Sequence, residues 1–212
     1  MFSLLGNIPD NAIWSPNGVT IAGGHVNGGD TNQLSDPHGH FVDDDQTVVI
    51  ADYWNHRIMQ WKNGDTTNGQ VVAGGDELNQ LNHPAYLFVD RDHSLYVSNW
   101  NNNRVMKWVE GAKEGIVVAG GQGEGDALTQ LHCPYGLFVD TLGILYVADS
   151  WNHRVMHWTQ GDNKQGTVIV GGNGAGAGVN QFNVPIGLSV DRHGNLYVAE
   201  YGNHRVQRFS IE

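Results

Sequence analysis

The chain has 212 residues, 29 of them glycine, and carries 22 acidic against 11 basic side chains for a formal charge of −11. A single cysteine, Cys133, excludes an intramolecular disulfide framework and a cysteine-rich zinc module, and no apolar run approaches the roughly 18–20 residues of a membrane span. The opening Met1-Phe2-Ser3-Leu4-Leu5 is too short for a signal peptide and lacks its basic start, so composition describes a folded, acidic, turn-rich chain and leaves its compartment, cytoplasmic or extracellular, open.

The first readable element is Val19-Thr20-Ile21-Ala22-Gly23-Gly24, a short β-prone run stopped by a glycine pair. From there the chain repeats. Pro37, Pro84, Pro134 and Pro185 are spaced 47, 50 and 51 residues apart, and Asp43, Asp90, Asp140 and Asp191 each follow six positions later. Arg57, Arg104, Arg154 and Arg205 keep the same spacing, and further glycine pairs fall at Gly74-Gly75, Gly120-Gly121 and Gly171-Gly172. So many anchors in one register mark a tandem array.

The third copy shows what one unit builds. Gly136-Leu137-Phe138-Val139-Asp140 reads as a strand, and a turn at Leu142-Gly143 leads to a second, Leu145-Tyr146-Val147-Ala148. The polar corner Ser150-Trp151-Asn152-His153 precedes a third strand, Arg154-Val155-Met156-His157-Trp158. A glycine-bounded turn over residues 161–166 then gives a fourth, Thr167-Val168-Ile169-Val170. Short β-rich runs between Gly, Asn and Asp turns are strand-and-hairpin signals, and no window sustains a helical period. Four antiparallel strands per repeat of about 50 residues predict a β-propeller blade. The last copy stops after its third strand, Arg205-Val206-Gln207-Arg208-Phe209, while residues 1–24 hold an orphan strand. The expectation is therefore one all-β domain over residues 1–212, with four four-stranded blades near residues 37–75, 84–121, 134–172 and 185–212. The N-terminal strand pairs with the last blade to close the ring and remove two exposed edges.

The motif Pro-x-Gly-Leu-x-Val-Asp, followed by Leu-Tyr-Val-Ala-Asp and Asn-His-Arg-Val, resembles the NHL repeat. It is seen in Asn152-His153-Arg154-Val155 and Asn203-His204-Arg205-Val206. The second copy departs with Asn101-Asn102-Asn103-Arg104, and the fourth places Glu200 where the others have Asp52, Asn99 and Asp149. The resemblance implies a propeller more often built of six blades, so the alternative to a four-bladed ring is part of a six-bladed one. NHL-like propellers include the lyase domain that completes peptide amidation, which implies zinc-binding histidines directly after the blade prolines. Those positions here hold His38, Ala85, Tyr135 and Ile186, too few imidazoles for a three-His centre. Other NHL propellers bind RNA, but that requires a basic face, and a charge of −11 opposes both nucleic acid and anionic membranes.

The remaining candidate chemistry reads as structure. The recurring Asn-His-Arg corner is expected to lock a turn, since Asn accepts left-handed backbone and Arg can fork onto a strand-end carboxylate. His40 stands where other copies have Leu87, Leu137 and Leu188, and is expected to be a neutral core histidine. Asp43-Asp44-Asp45 and its counterparts are turn formers. The glycine-rich run from Gly171 to Gly176 has no following helix and so no phosphate cradle. No nucleophile elbow occurs. Trp61, Trp108 and Trp158 end third strands and are expected to pack between blades.

The informative surface is aromatic. Corners on one face gather Tyr53, Trp54, Trp100, Trp151 and Tyr201 with His56, His153 and His204, the residue types that anchor interfaces. The reading is a monomeric, non-enzymatic scaffold without cofactor or metal, binding a protein or peptide through this face, with carbohydrate as a second ligand class. The alternative is a metal-dependent lyase or lactonase-like enzyme with its site in the central channel.

Overall fold

The computed structural model describes residues 8–65, 67–74, 80–159, 161 and 165–211. Met1 to Leu5 and Gly75, used above, lie outside the described residues. Four antiparallel sheets follow one another along the chain. The first contains β1 (Pro37–Val42), β2 (Val48–Asp52), β3 (Arg57–Trp61) and β4 (Gln70–Gly74). The second contains β5 (Pro84–Val89), β6 (Leu95–Asn99), β7 (Arg104–Trp108) and β8 (Ile116–Gly120). The third contains β9 (Pro134–Val139), β10 (Leu145–Asp149), β11 (Arg154–Trp158) and β12 (Thr167–Gly171), and the last only β13 (Pro185–Val190), β14 (Leu196–Glu200) and β15 (Arg205–Phe209). Each sheet runs in chain order, as hairpin-connected strands dictate. A single 3-10 turn makes the second corner of the first three blades: Tyr53–Asn55, Trp100–Asn102 and Ser150–Asn152.

The core lies between the sheets. Ala51 and Ile58 of the first sheet meet Leu87, Val97 and Trp108 of the second, with Leu81 of the connector wedged among them. The motif recurs as Val105 and Leu131 against Leu137, Val147 and Trp158, and again as Val155 and Phe182 against Leu196 and Val198. Trp61, Trp108 and Trp158 are all buried, as their register predicts. Each indole lies across a glycine that opens the fourth strand (Gly69, Gly115 and Gly166), where a Cβ would strike the ring.

The ring does not close, which corrects the four-bladed expectation. Residues 19–24 pair with no strand, and the last sheet keeps three strands with β15 at its edge. The innermost strands pack in series, β1 on β5, β5 on β9 and β9 on β13, with no comparable packing of β13 on β1. Residues 19–24 nonetheless hold the shape of a fourth strand. Gly23 and Gly24 have φ of +68° and +87°, as Gly120 and Gly121 have +67° and +82°, and Ala22 and Leu34 rest on Ile50, Met59 and Trp61. They sit against the first blade, at the opposite end of the arc from β15, so pairing within the chain is geometrically unavailable.

Exposure confirms two open ends. Ile58, Val105 and Val155 are fully buried against the following blade, whereas Val206, in the same register, is 65% exposed. His40 is exposed rather than a core histidine: its counterparts Leu87 and Leu137 lie on strands that pack on the innermost strand of the sheet before, and among the described residues no sheet lies over β1 in that way.

A buried carboxylate organises each corner. Asp52 ends β2 fully buried and accepts from Arg57 Nε at 2.8 Å, Asn55 Nδ2 at 2.9 Å and Ser35 N at 2.7 Å. The rest of the Arg57 fork reaches back to the carbonyls of Gly29, Asp30 and Gln33, tying down the blade connector. Asp149 with Arg154 and Glu200 with Arg205 repeat the arrangement, at 2.7 Å and 2.6 Å. These are charge-assisted bonds with nearly every lone pair used, the condition under which a buried pair holds structure together. The second blade lacks the carboxylate. Asn99 accepts from Asn82 N and donates to Gln80 O, leaving the buried Arg104 Nε without a partner among the described residues. Burial then lowers the affinity of that guanidinium for its proton. Asn99→Asp should supply the missing acceptor and raise stability by about 1–3 kcal/mol, the usual cost of an unsatisfied buried polar group. The change would be read as a higher urea midpoint, and an unchanged or lower midpoint would refute this account of the second corner.

Candidate functional site

After each 3-10 turn comes a residue in left-handed conformation: His56, Asn103 and His153, with φ of 56°, 51° and 53°. Such a residue turns its side chain toward the following blade. His56 Nδ1 accepts from the His83 amide at 3.1 Å, Asn103 Oδ1 from Cys133 at 2.8 Å, and His153 Nδ1 from Val184 at 3.2 Å. All three donors immediately precede a blade proline and are themselves left-handed. The third corner position is thus a blade-to-blade latch, for which His and Asn are interchangeable as acceptors. The turns between first and second strands are locked in the same spirit. Asp191, for example, accepts from the side chain and backbone of Asn195 and from the His193 amide, and its carboxyl drops to about 2.

The same face carries an aromatic cluster. Tyr53 stacks on His38 at 4.2 Å between ring centroids and lies 4.7 Å from His83 and 5.4 Å from Trp54. Trp54 and His56 each meet His83 edge-on, at 4.8 Å and 4.6 Å, and Trp100 closes the far side of His83 at 6.3 Å. The Tyr135 hydroxyl lies 3.2 Å from His38 Nδ1, joining the first and third blades across the second. Ala85, the residue after the proline of the second blade as His38 and Tyr135 are in theirs, is fully buried. His38 Nε2 also lies 3.3 Å from Asp36.

The eight residues singled out from the sequence do not form one surface. Tyr53, Trp54, Trp100 and His56 come together in the first two blades. Trp151 stands apart, stacked on His132 at 5.8 Å. Tyr201 and His204 are exposed on the last blade, with no ring contact among the described residues. His56 and His153 serve as latches. His83 and Tyr135, which complete the cluster, flank blade prolines rather than corners, and only the fold brings those positions beside Tyr53.

Electrostatics follow burial. Desolvation lowers the His83 proton affinity, with His56 adding to it, and both its ring nitrogens are buried without a hydrogen-bond partner among the described residues. Burial raises the Tyr53 and Tyr135 hydroxyls above their ordinary range. Among the described residues no three His, Cys, Asp or Glu side chains are arranged to hold a metal ion, and no helix is long and apolar enough to cross a membrane.

The NHL repeat pattern matches residues 131–158 and 182–209, the third and fourth blades from before their prolines to the ends of their third strands. None of the curated proteins compared with the chain matches it. Among solved structures, a protein of unknown function from Bacteroides thetaiotaomicron is 18% identical with a TM-score of 0.68, over 85% of this chain and 50% of that one. An auxiliary nutrient binding protein from the same organism is 13% identical with a TM-score of 0.66, over 84% and 48%. Virginiamycin B lyase from Staphylococcus aureus is 15% identical with a TM-score of 0.55, over 86% and 58%. The chain spans about half the length of these structures.

The latch makes a pH prediction. Burial lowers the His153 proton affinity below the ordinary imidazole value of 6.5, with His132 adding to the effect and Asp149 opposing it. The unfolded chain therefore binds this proton more readily than the fold, so stability held above about 6.5 is lost as the pH falls below it. His153→Asn keeps an acceptor, as Asn103 does in the second blade, and removes the titration. Its melting temperature should fall less between pH 7 and pH 5 than that of the native chain. Parallel falls would show that His153 does not titrate as a latch.

Proposed function

We propose that this chain, whose third and fourth blades match the NHL repeat and whose fold is that of solved propeller-like structures, is a non-enzymatic binding scaffold holding a protein or peptide segment against Tyr53, Trp54 and Trp100. One observation carries this reading: Trp54 is 56% exposed while its ring is held edge-on to Tyr53 and His83. An aromatic side chain fixed by its neighbours and open to solvent loses little freedom on binding, the property of an interface anchor. Below it, the two unpaired nitrogens of His83 offer one donor and one acceptor to any ligand that parts the indole from the imidazole.

Electrostatics support a neutral or cationic ligand, because a charge of −11 repels polyanions. The fold is neutral on catalysis, being shared with a nutrient binding protein and with a lyase. What favours binding over metal-dependent lyase or lactonase chemistry is the donor set: the imidazoles of the described face pack against rings and backbone amides rather than converging on a point. A sugar ring is the second ligand class the same platform admits, since apolar sugar faces stack on indole.

A peptide array and a glycan array probed with the native chain and with Trp54→Ala test this directly. Captured peptides should bind at least tenfold more weakly to Trp54→Ala with no change in melting temperature. Undiminished capture would remove the cluster as the site, and glycan capture in place of peptides would move the ligand to the second class. Stoichiometric zinc or calcium in protein purified without a histidine tag would instead support the enzymatic alternative.

A further inference from the structure

The second position of the second strand is Tyr96, Tyr146 and Tyr197 in the later blades, and Val49 in the first. The tyrosines have a built seat. Tyr96 and Tyr146 face Phe88 and Phe138 on the first strand, and Lys107 and His157 on the third. The Tyr146 and Phe138 rings stack at 4.6 Å, and Lys107 Nζ stands 4.9 Å over the Tyr96 ring. The hydroxyls of Tyr146 and Tyr197 donate to Oδ2 of Asp140 and Asp191 at 3.4 Å and 3.3 Å. Toward the next blade, Tyr96 packs in one core with Val139, Leu145 and Trp158 and is buried.

In the first blade the walls of that seat are present and the ring is not. Val49 faces Phe41 and Gln60 in the same register. Val89, Leu95 and Trp108 of the second blade stand where Val139, Leu145 and Trp158 enclose Tyr96. A cavity of about 220 Å³ lies among these side chains, with Asp43 in its lining. It shares Gln60, Val72 and Trp108 with a wider groove of about 730 Å³ that is lined by β4. The groove between the second and third blades is lined by Tyr96 and Lys107 and does not reach Phe88, Asp90 or Val139. Those are the counterparts of Phe41, Asp43 and Val89, so the inward extension belongs to the blade that lacks the tyrosine. An apolar space of roughly 150 Å³ is enough to admit benzene.

We propose that this cavity binds a neutral phenol, its ring replacing the missing tyrosine ring between Phe41 and Gln60 and its hydroxyl donating to Asp43. Oδ1 of Asp43 accepts the Asp44 amide, while Oδ2 has His93 Nδ1 at 3.6 Å, too far for a hydrogen bond. Oδ2 therefore keeps acceptor capacity for a hydroxyl, as its counterparts in Asp140 and Asp191 do. Glu110 lines the same space, so two carboxylates turn away a ligand carrying a carboxylate or phosphate. Val49 already fills the point from which a tyrosine ring would hang. The ligand's position para to the hydroxyl is thus bare or small, and any larger body leaves sideways into the groove along β4. The site lies at the opposite end of β2 from Tyr53, and it stands whether or not the aromatic cluster binds a peptide.

Phenol itself is the probe. Nuclear magnetic resonance titration of the native chain should show saturable one-to-one shifts at Phe41, Val49, Leu95 and the Trp108 indole. Benzene, which lacks the hydroxyl, should bind at least fivefold more weakly. Val49→Tyr restores the ring of the other blades and should weaken phenol at least tenfold while raising the melting temperature. Val49→Phe fills the same space without the hydroxyl and should give the same loss of binding, should Val49→Tyr fail to fold. Shifts that do not saturate, shifts centred on Tyr53 and Trp54, benzene bound as tightly as phenol, or undiminished binding to a filled variant would each overturn the proposal.

Discussion

A carboxylate buried at the end of the second strand is the constraint on which the rest of the molecule depends. Once Asp52, Asp149 or Glu200 is taken out of water it must be met by charge and by hydrogen-bond donors. The cation that meets it is the arginine that opens the next strand. Its remaining donors then have to be spent on carbonyls, and they are spent on the connector some two dozen residues earlier. One charge pair thereby ties a corner to the connector that precedes its blade. A long loop rich in glycine is rigid here because an arginine holds it, and not because of its own composition.

Packing of the blades in series sets the location of the aromatic cluster. Blades stack in series, each covering the β-branched residue of the one before, so three interfaces are completed and two faces are left bare. Rings gather where interfaces are interior. Tyr53 and His83 meet because the first two blades are latched through His56, and His38 meets Tyr135 across the second blade. On the last blade Tyr201 stands in solvent.

Much of this was legible in the residues. The third strands fall where alternation places them, the three buried tryptophans were recognisable from their register, and the recurrence of Asn-His-Arg identified the corner as structural. The Arg57–Asp52 pair itself could be anticipated, because a fork at fixed spacing from a strand-end carboxylate has few other uses. What the His of that corner does was not legible. Its acceptor role depends on an amide about 30 residues away, brought close only by packing of the next sheet. His40 was misread for a related reason: its counterparts are core leucines, but burial at that position is conferred by a preceding blade.

Periodicity is a local property, and it determined the strands, their order within each blade and the chemistry of every corner. Ring closure is a global one. It depends on the small rotation between neighbouring blades, accumulated over the whole array, and no single repeat encodes how many such rotations make a full turn. The sequence by itself therefore established a tandem array of antiparallel blades locked by buried arginine–carboxylate corners. The tertiary structure alone decided that residues 19–24 rest on the first blade and do not pair with β15, because where a segment lies relative to a sheet several repeats away is set by packing between sheets and not by local periodicity.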